Sequence, residues 1–303
     1  MKKVIVFGGS GFLGSYVADE LTRRGYRVVI ADIEESPYLL ESQEFVRCDI
    51  MDLEMVKQTI DGAAVVYNFA GFARLDESIN NPNATLSLNI MGNLNVLEAS
   101  RQVGIDRFVY ASSAYAFSQK GSFYGISKFA SEKIIDEYFH RFGLRYSVIR
   151  YGSLYGERAD PGNGIYNLLR QALETGISKY SGNGEEVREY IHAIDAAALS
   201  VDIIEDEKYA NQYLILTGVE KMRIKELFRM IREILNNTVE IEYQGANMEG
   251  HYEVTPYSFH PKPARKLVAN PFIDLGQGLV DCIKHIHSEL NPDGDLFIDN
   301  DTI

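Results

Sequence analysis

Three side chains in the first half of the chain have types and spacing suited to proton chemistry: Ser113, Tyr124 and Lys128. Tyr124 and Lys128 stand at i and i+4 where a helical pattern opens, one that goes on to carry Ala130, Ile134, Ile135, Tyr138 and Phe142. That spacing puts both on one helix face. An ammonium beside a phenol favours the phenolate, so the pair is expected to lower a phenol pKa that is ordinarily about 10. A phenol tuned toward working pH is a general base. Ser113 could hydrogen-bond the same substrate oxygen. Taken alone, the pair reads more simply as a Tyr/Lys contact on a solvated helix face, which is common.

These groups need elements to position them, and the chain is organised around Gly8-Gly9-Ser10-Gly11-Phe12-Leu13-Gly14. The stretch follows the apolar run Val4-Ile5-Val6-Phe7 and precedes Leu13, Val17 and Leu21 at helical spacing. Strand, glycine turn, helix is a nucleotide-binding context. Glycine lets the backbone turn tightly and approach a pyrophosphate, and the helix N-terminus offers free N–H groups to the anion. The spacing is G-x-x-G-x-x-G, through Gly8, Gly11 and Gly14. Arg27-Val28-Val29-Ile30-Ala31 reads as a second strand, ended by Asp32. A carboxylate there, about 20 residues past the turn, accepts hydrogen bonds from the adenosine ribose hydroxyls. Asp32 would repel a 2′-phosphate and no Arg follows in Asp32-Ile33-Glu34-Glu35, so the expected cofactor is NAD rather than NADP. Its oxidised nicotinamide would add a second positive charge near Tyr124. The plainer alternatives are glycines kept for steric reasons and an ordinary turn aspartate.

The alternation continues. Phe45-Val46-Arg47-Cys48 is a short strand ending at Asp49-Ile50, and Leu53, Val56 and Ile60 space a helix. Ala63-Ala64-Val65-Val66-Tyr67 runs into Asn68-Phe69-Ala70-Gly71, where small residues would let a cofactor lie against backbone. Pro82 starts a helix with Leu86, Asn89, Ile90, Leu94 and Leu97. Asn89 falls on or near its apolar stripe and must find partners, as a bridge between backbones or as a cofactor neighbour. Arg107–Ala111 is a fifth strand, with Ser112 and Ser113 at its carboxyl end. Strands and helices at this rhythm mean βαβ units and a parallel sheet, whose ligands bind beyond the carboxyl ends of the strands.

Composition agrees with this. The chain has 303 residues, 46% apolar and 24% charged, an ordinary globular make-up with room for two lobes. No apolar run approaches the roughly 20 residues of a membrane helix, so no membrane partner is expected. A net charge of −13 argues against a nucleic-acid partner. Cys48 and Cys282 give neither a disulfide framework nor a metal spacing, and read as buried thiols in a reducing compartment.

The order of these features resembles the short-chain dehydrogenase/reductase superfamily, in its extended branch, and residues 1–150 match throughout. Asn68-Phe69-Ala70-Gly71, Glu77-Ser78 and Asn81-Pro82 are most similar to the UDP-hexose 4-epimerase group. Tyr151-Gly152-Ser153-Leu154-Tyr155-Gly156-Glu157-Arg158 is similar to a segment of nucleotide-sugar epimerases and dehydratases, with Ser153 in place of the usual Asn. Gly182 to His192 resembles that family's G-x-G-x-x-x-R-[DE]-[FY]-[IV]-H motif. The resemblance implies an α/β fold: a Rossmann-type doubly wound parallel sheet with a smaller, discontinuous C-terminal substrate lobe. It implies an NAD-binding domain over residues 1–150 with segments returning from about 188–220. Residues 151–290 would be mainly the lobe, and 291–303 a mobile acidic tail. The implied cofactor residues are Gly8, Gly11, Phe12, Leu13, Gly14, Asp32, Ile33, Asp49, Ile50, Phe69, Ala70, Gly71, Asn89 and Tyr151, with Tyr124 and Lys128. Ser153, Asn163 and Arg188 would hold the substrate, Arg188 by clamping its diphosphate. His192 is expected to cap or bridge backbone and Asp195 to cap the next helix. The family's second diphosphate Arg is missing, and His251 or Lys262 could take its place.

The implied activity is epimerisation of a nucleotide-activated sugar, a UDP-hexose at C4, through a transient keto intermediate. The alternatives are a nucleotide-sugar 4-ketoreductase, a 4,6-dehydratase, or a non-catalytic dinucleotide-binding sensor. Dehydratases carry Thr-Asp-Glu at the serine position, whereas this chain has Ser112-Ser113-Ala114. The loop from Ser113 to Tyr124 is short for an epimerase, which suggests a differently shaped sugar pocket. The resemblance also implies a cytoplasmic homodimer, paired through the Asn89 and Tyr124 helices as a four-helix bundle, in cell-surface polysaccharide synthesis.

Overall fold

Short β-branched runs buried on both faces alternate with amphipathic helices, and the parallel sheet that this pattern demands is what forms. The computed structural model describes residues 1–118, 120–245, 250–255 and 264–292. In chain order the strands are β1 (Lys3–Phe7), β2 (Arg27–Asp32), β3 (Glu44–Arg47), β4 (Val65–Asn68), β5 (Arg107–Ser113), β6 (Tyr146–Tyr151), β7 (Ser153–Tyr155), β8 (Ile177–Tyr180), β9 (Val187–Arg188), β10 (Tyr190–His192), β11 (Gln212–Leu216), β12 (Met222–Arg223), β13 (Glu240–Tyr243) and β14 (Arg265–Leu267). The α-helices are α1 (Phe12–Arg23), α2 (Leu53–Ile60), α3 (Leu75–Asn80), α4 (Pro82–Leu86), α5 (Asn93–Val103), α6 (Ser122–Phe142), α7 (Gly164–Thr175), α8 (Ala193–Glu205), α9 (Ile224–Ile234) and α10 (Leu275–Leu290).

Eight strands make one sheet in the order β14-β11-β6-β5-β4-β1-β2-β3, all parallel. The order reverses at β1, which pairs with β2 on one side and β4 on the other. That reversal opens a crevice beyond the carboxyl ends of β1 and β4, where ligands of such sheets bind. Val4, Ile5, Val6 and Phe7 have no exposed surface. Val4 and Val6 pack with Leu13, Val17 and Leu21 of α1 and Ala196 of α8; Ile5 and Phe7 pack with Val56 and Ile60 of α2 and Leu97 of α5. Helices therefore cover both faces. The sheet takes its last two strands from far along the chain, and β14 is a three-residue edge that carried no pattern of its own in the sequence.

A second apolar cluster joins Ile165 and Leu169 of α7, Leu227, Phe228 and Ile231 of α9, and Leu279 and Ile283 of α10. Three separate two-stranded sheets, β7–β10, β9–β12 and β8–β13, accompany the large one. The helix expected from Pro82 is continuous but mixed, since Ser87–Gly92 between α4 and α5 is π-helical. Among the described residues, no helix is long and apolar enough to cross a membrane. Lys262 and the tail beyond residue 292 lie outside the described residues.

Candidate active site

The glycine turn is shaped by what would not fit. A Cβ at Gly14 would lie 2.1 Å from the Gly8 carbonyl oxygen, and one at Gly8 would lie 2.4 Å from the Ala70 nitrogen. Gly8 also holds φ +73°, which favours glycine. Gly11 is the residue before α1, so the turn delivers the helix N-terminus to the crevice. Phe12 and Leu13 begin α1, with Leu13 buried. Asp32 closes the far side: its carboxylate accepts from the Ser10 N–H at 3.0 Å and the Ile33 N–H at 2.8 Å. Burial raises the Asp32 pKa and those backbone N–H groups oppose the rise. Ile33 is exposed, and Asp49 accepts from the Met51 N–H, while Ile50 is buried against Gly92.

Across the crevice, Phe69-Ala70-Gly71 leaves β4 with the Phe69 N–H bonded to the Phe7 carbonyl at 2.8 Å. Asn89 sits in the π-helical stretch, 2% exposed, and bridges backbones as one of its two expected roles. Its Oδ1 accepts from the Phe72 N–H at 2.6 Å, and its Nδ2 donates to the Phe72 carbonyl and to Ser127 Oγ. Gly71 must be glycine here, since a Cβ would meet Asn89 Oδ1 at 2.6 Å. Tyr151 ends β6, its hydroxyl bonded to Ser200 at 2.7 Å. The narrow glycine cradle, the free helix start and a half-buried carboxylate at the end of β2 fit a dinucleotide. A pyrophosphate would meet backbone N–H groups, and Asp32 would meet ribose hydroxyls.

The sheet and α6 then bring Ser113, Tyr124 and Lys128 together. Ser113 is the last residue of β5. Glu132, buried in α6, is held bidentately by Arg150 of β6 at 2.9 Å and accepts from Ser112 Oγ at 2.6 Å. That buried pair clamps α6 to the carboxyl end of β5. Lys128 is 6% exposed and donates to the Ala111 carbonyl at 2.8 Å. Its Nζ lies 5.8 Å from the centre of the Tyr124 ring.

One expectation is corrected. Burial raises the Tyr124 pKa rather than lowering it; a hydrogen bond with Ser113 pulls it down and Lys128 makes no resolved contribution. Desolvation outweighs the cation. Burial also pulls the Lys128 ammonium down to about 8. Ser113, rather than Lys128, is in direct hydrogen-bond contact with the phenol.

The short strands assemble the other wall. β7 pairs with β10, setting Ser153 opposite Tyr190. Arg188 of β9 is buried, donates to the Val187 carbonyl at 3.0 Å, and lies over the Tyr252 ring at 4.4 Å. Ser153 hydrogen-bonds Tyr252. Asn163 caps α7: its Oδ1 accepts from the Ile165 and Tyr166 N–H groups and its Nδ2 donates to the Leu154 carbonyl. Asn163, expected to hold substrate, thus has its amide bound to backbone. His192 caps α8 through Nδ1, which accepts from the Ile194 N–H at 3.2 Å. Asp195, expected to be that cap, lies within the first turn and accepts instead from the Ile273 N–H at 2.8 Å. His251 turns both ring nitrogens to protein groups, Asp76 and Tyr115. Tyr115 and Tyr252 had no signal in the sequence reading, although Tyr115 lies only two residues past Ser113.

Known proteins share this fold. The model of the NAD dependent epimerase/dehydratase family matches residues 4–215. A Methanocaldococcus jannaschii protein, provisionally named a UDP-glucose 4-epimerase, is 28% identical over 91% of this chain and 95% of its own. The structure of a Thermotoga maritima UDP-glucose 4-epimerase with UDP-glucose superposes with a TM-score of 0.82 at 24% identity, covering 95% of this chain and 99% of that one. A Bacillus cereus UDP-glucuronic acid 4-epimerase with UDP-glucuronic acid and NAD gives a TM-score of 0.83 at 21% identity, over 95% and 99%.

Proposed function

The chain belongs to the NAD dependent epimerase/dehydratase family, and we propose that it inverts C4 of a UDP-hexose with NAD through a transient 4-keto sugar. The observation that carries this is the meeting of Ser113, Tyr124 and Lys128 at the carboxyl end of β5, beside a glycine cradle closed by Asp32. The relatives' substrates agree with it.

Bound NAD supplies the acceptor and donor of the C4 hydrogen. The residues supply the rest. Tyr124 takes the proton of the C4 hydroxyl as the carbon is oxidised and returns it after reduction on the other face. Ser113 hydrogen-bonds that oxygen. Lys128 would hold the nicotinamide ribose, and the positive charge that a bound nicotinamide supplies would oppose the burial that raises the phenol pKa. Arg188 binds the diphosphate, for which its planar fork is suited, and Ser153 and Asn163 face the sugar nucleotide. Ser112-Ser113-Ala114 offers no acid and base for elimination, which favours epimerase over dehydratase.

We place the enzyme in the cytoplasm as a homodimer. Met91 beside α5, and Ile126, Phe129 and Phe142 on α6, are exposed, as a four-helix dimer interface would require. The test is to incubate the protein with UDP-, GDP- and CDP-sugars, without reductant, and follow the sugars by proton NMR. Interconversion of a UDP-hexose with its C4 epimer supports the reading. Conversion only of a 4-keto sugar with added NADH or NADPH makes it a reductase.

A further inference from the structure

A hydrogen-bonded chain of three titratable groups runs into the site from a late segment of the protein. Asp76 Oδ1 lies 2.9 Å from His251 Nε2, and His251 Nδ1 lies 3.1 Å from the Tyr115 hydroxyl. A carboxylate only accepts, so Nε2 carries a proton. In the neutral imidazole Nδ1 is then bare, and the Tyr115 O–H donates to it. Asp76 is largely exposed, so its ion pair is weak and the Tyr115–His251 bond is the firmer link.

The other contacts of Tyr115 lead to the base. Its backbone N–H donates to Ser113 Oγ at 3.3 Å. Its ring stands edge-on to that of Tyr124, with centroids 6.2 Å apart. Gly121 and Gly125 flank Tyr124 and make room for it. A Cβ at Gly121 would lie 2.9 Å from the Tyr115 side chain, and one at Gly125 would lie 3.0 Å from the Tyr115 carbonyl oxygen. Gly121 also has φ +100°, so the start of α6 is moulded onto Tyr115. The segment that carries His251 is fastened at the same place, since the Gly121 N–H donates to the Gly250 carbonyl at 2.7 Å.

We propose that Tyr115 is a positioning residue for Tyr124, and that His251, on the Gly250–Thr255 strap, sets where Tyr115 stands. The inference rests on Tyr124 being the base. The same strap meets the substrate wall: the Glu253 carbonyl accepts from Arg188 at 3.4 Å, and Tyr252 lies under that guanidinium and 4.7 Å from the Tyr115 ring. Grip on the diphosphate and alignment of the base are thereby joined through one short segment.

The test uses the full-length protein with NAD and the sugar nucleotide it converts. The variants are Tyr115→Phe, which keeps the ring and removes the hydroxyl, His251→Gln, and both together. Each single change is expected to lower kcat by roughly five- to tenfold, the worth of one hydrogen bond. KM and UDP affinity should stay within about twofold, because the loss falls after binding. The double variant should be little worse than either single one, since both break the same link. Single-turnover reduction of bound NAD, followed by near-ultraviolet absorbance, should slow in parallel. An unchanged kcat in Tyr115→Phe, additive losses, or a loss confined to KM would each overturn the proposal. Failure of the wild type itself to epimerise is a separate result: it overturns the proposed function, and this inference with it.

Discussion

Replacing Lys128 with Met should stabilise the protein at neutral pH while removing its activity. Lys128 is 6% exposed, and among the described residues its ammonium has one hydrogen-bond acceptor, the Ala111 carbonyl, besides the Tyr110 ring face at 4.9 Å. Glu132 favours the charge, but its oxygens are already bonded to Arg150 and Ser112. Burial dominates and moves the pKa from 10.5 to about 8. At about 1.4 kcal/mol per pH unit, holding this proton costs the fold about 3 kcal/mol. The sign follows from proton counts. Below about pH 8 both states are protonated and the fold bears the whole cost. Between about 8 and 10.5 the unfolded chain binds more protons, so wild-type stability rises with pH. Above that window both forms are neutral and the cost is gone. Met lacks this dependence. The lost Ala111 hydrogen bond, about 1 kcal/mol, weighs on the variant equally at every pH. The variant should therefore be about 2 kcal/mol more stable near pH 7, and the difference should shift by about 3 kcal/mol in favour of the wild type across the window, leaving the variant about 1 kcal/mol less stable above it. Urea unfolding of both cofactor-free proteins at the two ends of the window measures this. Stability curves that stay parallel in pH would refute the buried-charge argument, whatever their offset.

Three further outcomes are expected. Gly14→Ala puts a Cβ 2.1 Å from the Gly8 carbonyl oxygen and should weaken NAD binding by roughly tenfold or more, read by titration calorimetry; unchanged affinity would mean that the cradle is not the pyrophosphate site. Asp32→Ser removes the carboxylate at the end of β2, so NAD affinity should fall roughly tenfold while NADP affinity falls less; a parallel fall would detach Asp32 from the ribose. Asn89→Leu strands the Phe72 N–H and carbonyl and should cost about 2–4 kcal/mol in chemical unfolding, whereas a loss under about 1 kcal/mol would show that the bridge is dispensable.

What could be read from the sequence was what the chain does over short distances or by period. β1 and the glycine turn are legible because burial on both faces needs an unbroken apolar run, and because the packing of α1 against Gly8 excludes a Cβ at Gly14. Asn89 is legible as a polar residue on an apolar stripe, which obliges it to find backbone partners. The cap of α8 was misplaced by three residues because His192 and Asp195 are both able to accept from a helix N-terminus; the loop at Ile273, 78 residues on, takes Asp195 away. The sign of the Tyr124 shift failed for a deeper reason. Spacing on a helix tells which charges are near, but desolvation depends on everything packed around the ring, including Tyr252, which is 128 residues from Tyr124 and contributes to the rise. The same holds for the strap. Nothing local to Tyr115 announces His251, 136 residues away, yet that hydrogen bond holds the ring against which the start of α6 is packed. The proposed chemistry is local in its reagents and long-range in their tuning: Tyr124 and Lys128 carry a spacing, whereas burial of the Tyr124 ring and the placing of Tyr115 depend on the distant Gly250–Thr255 segment.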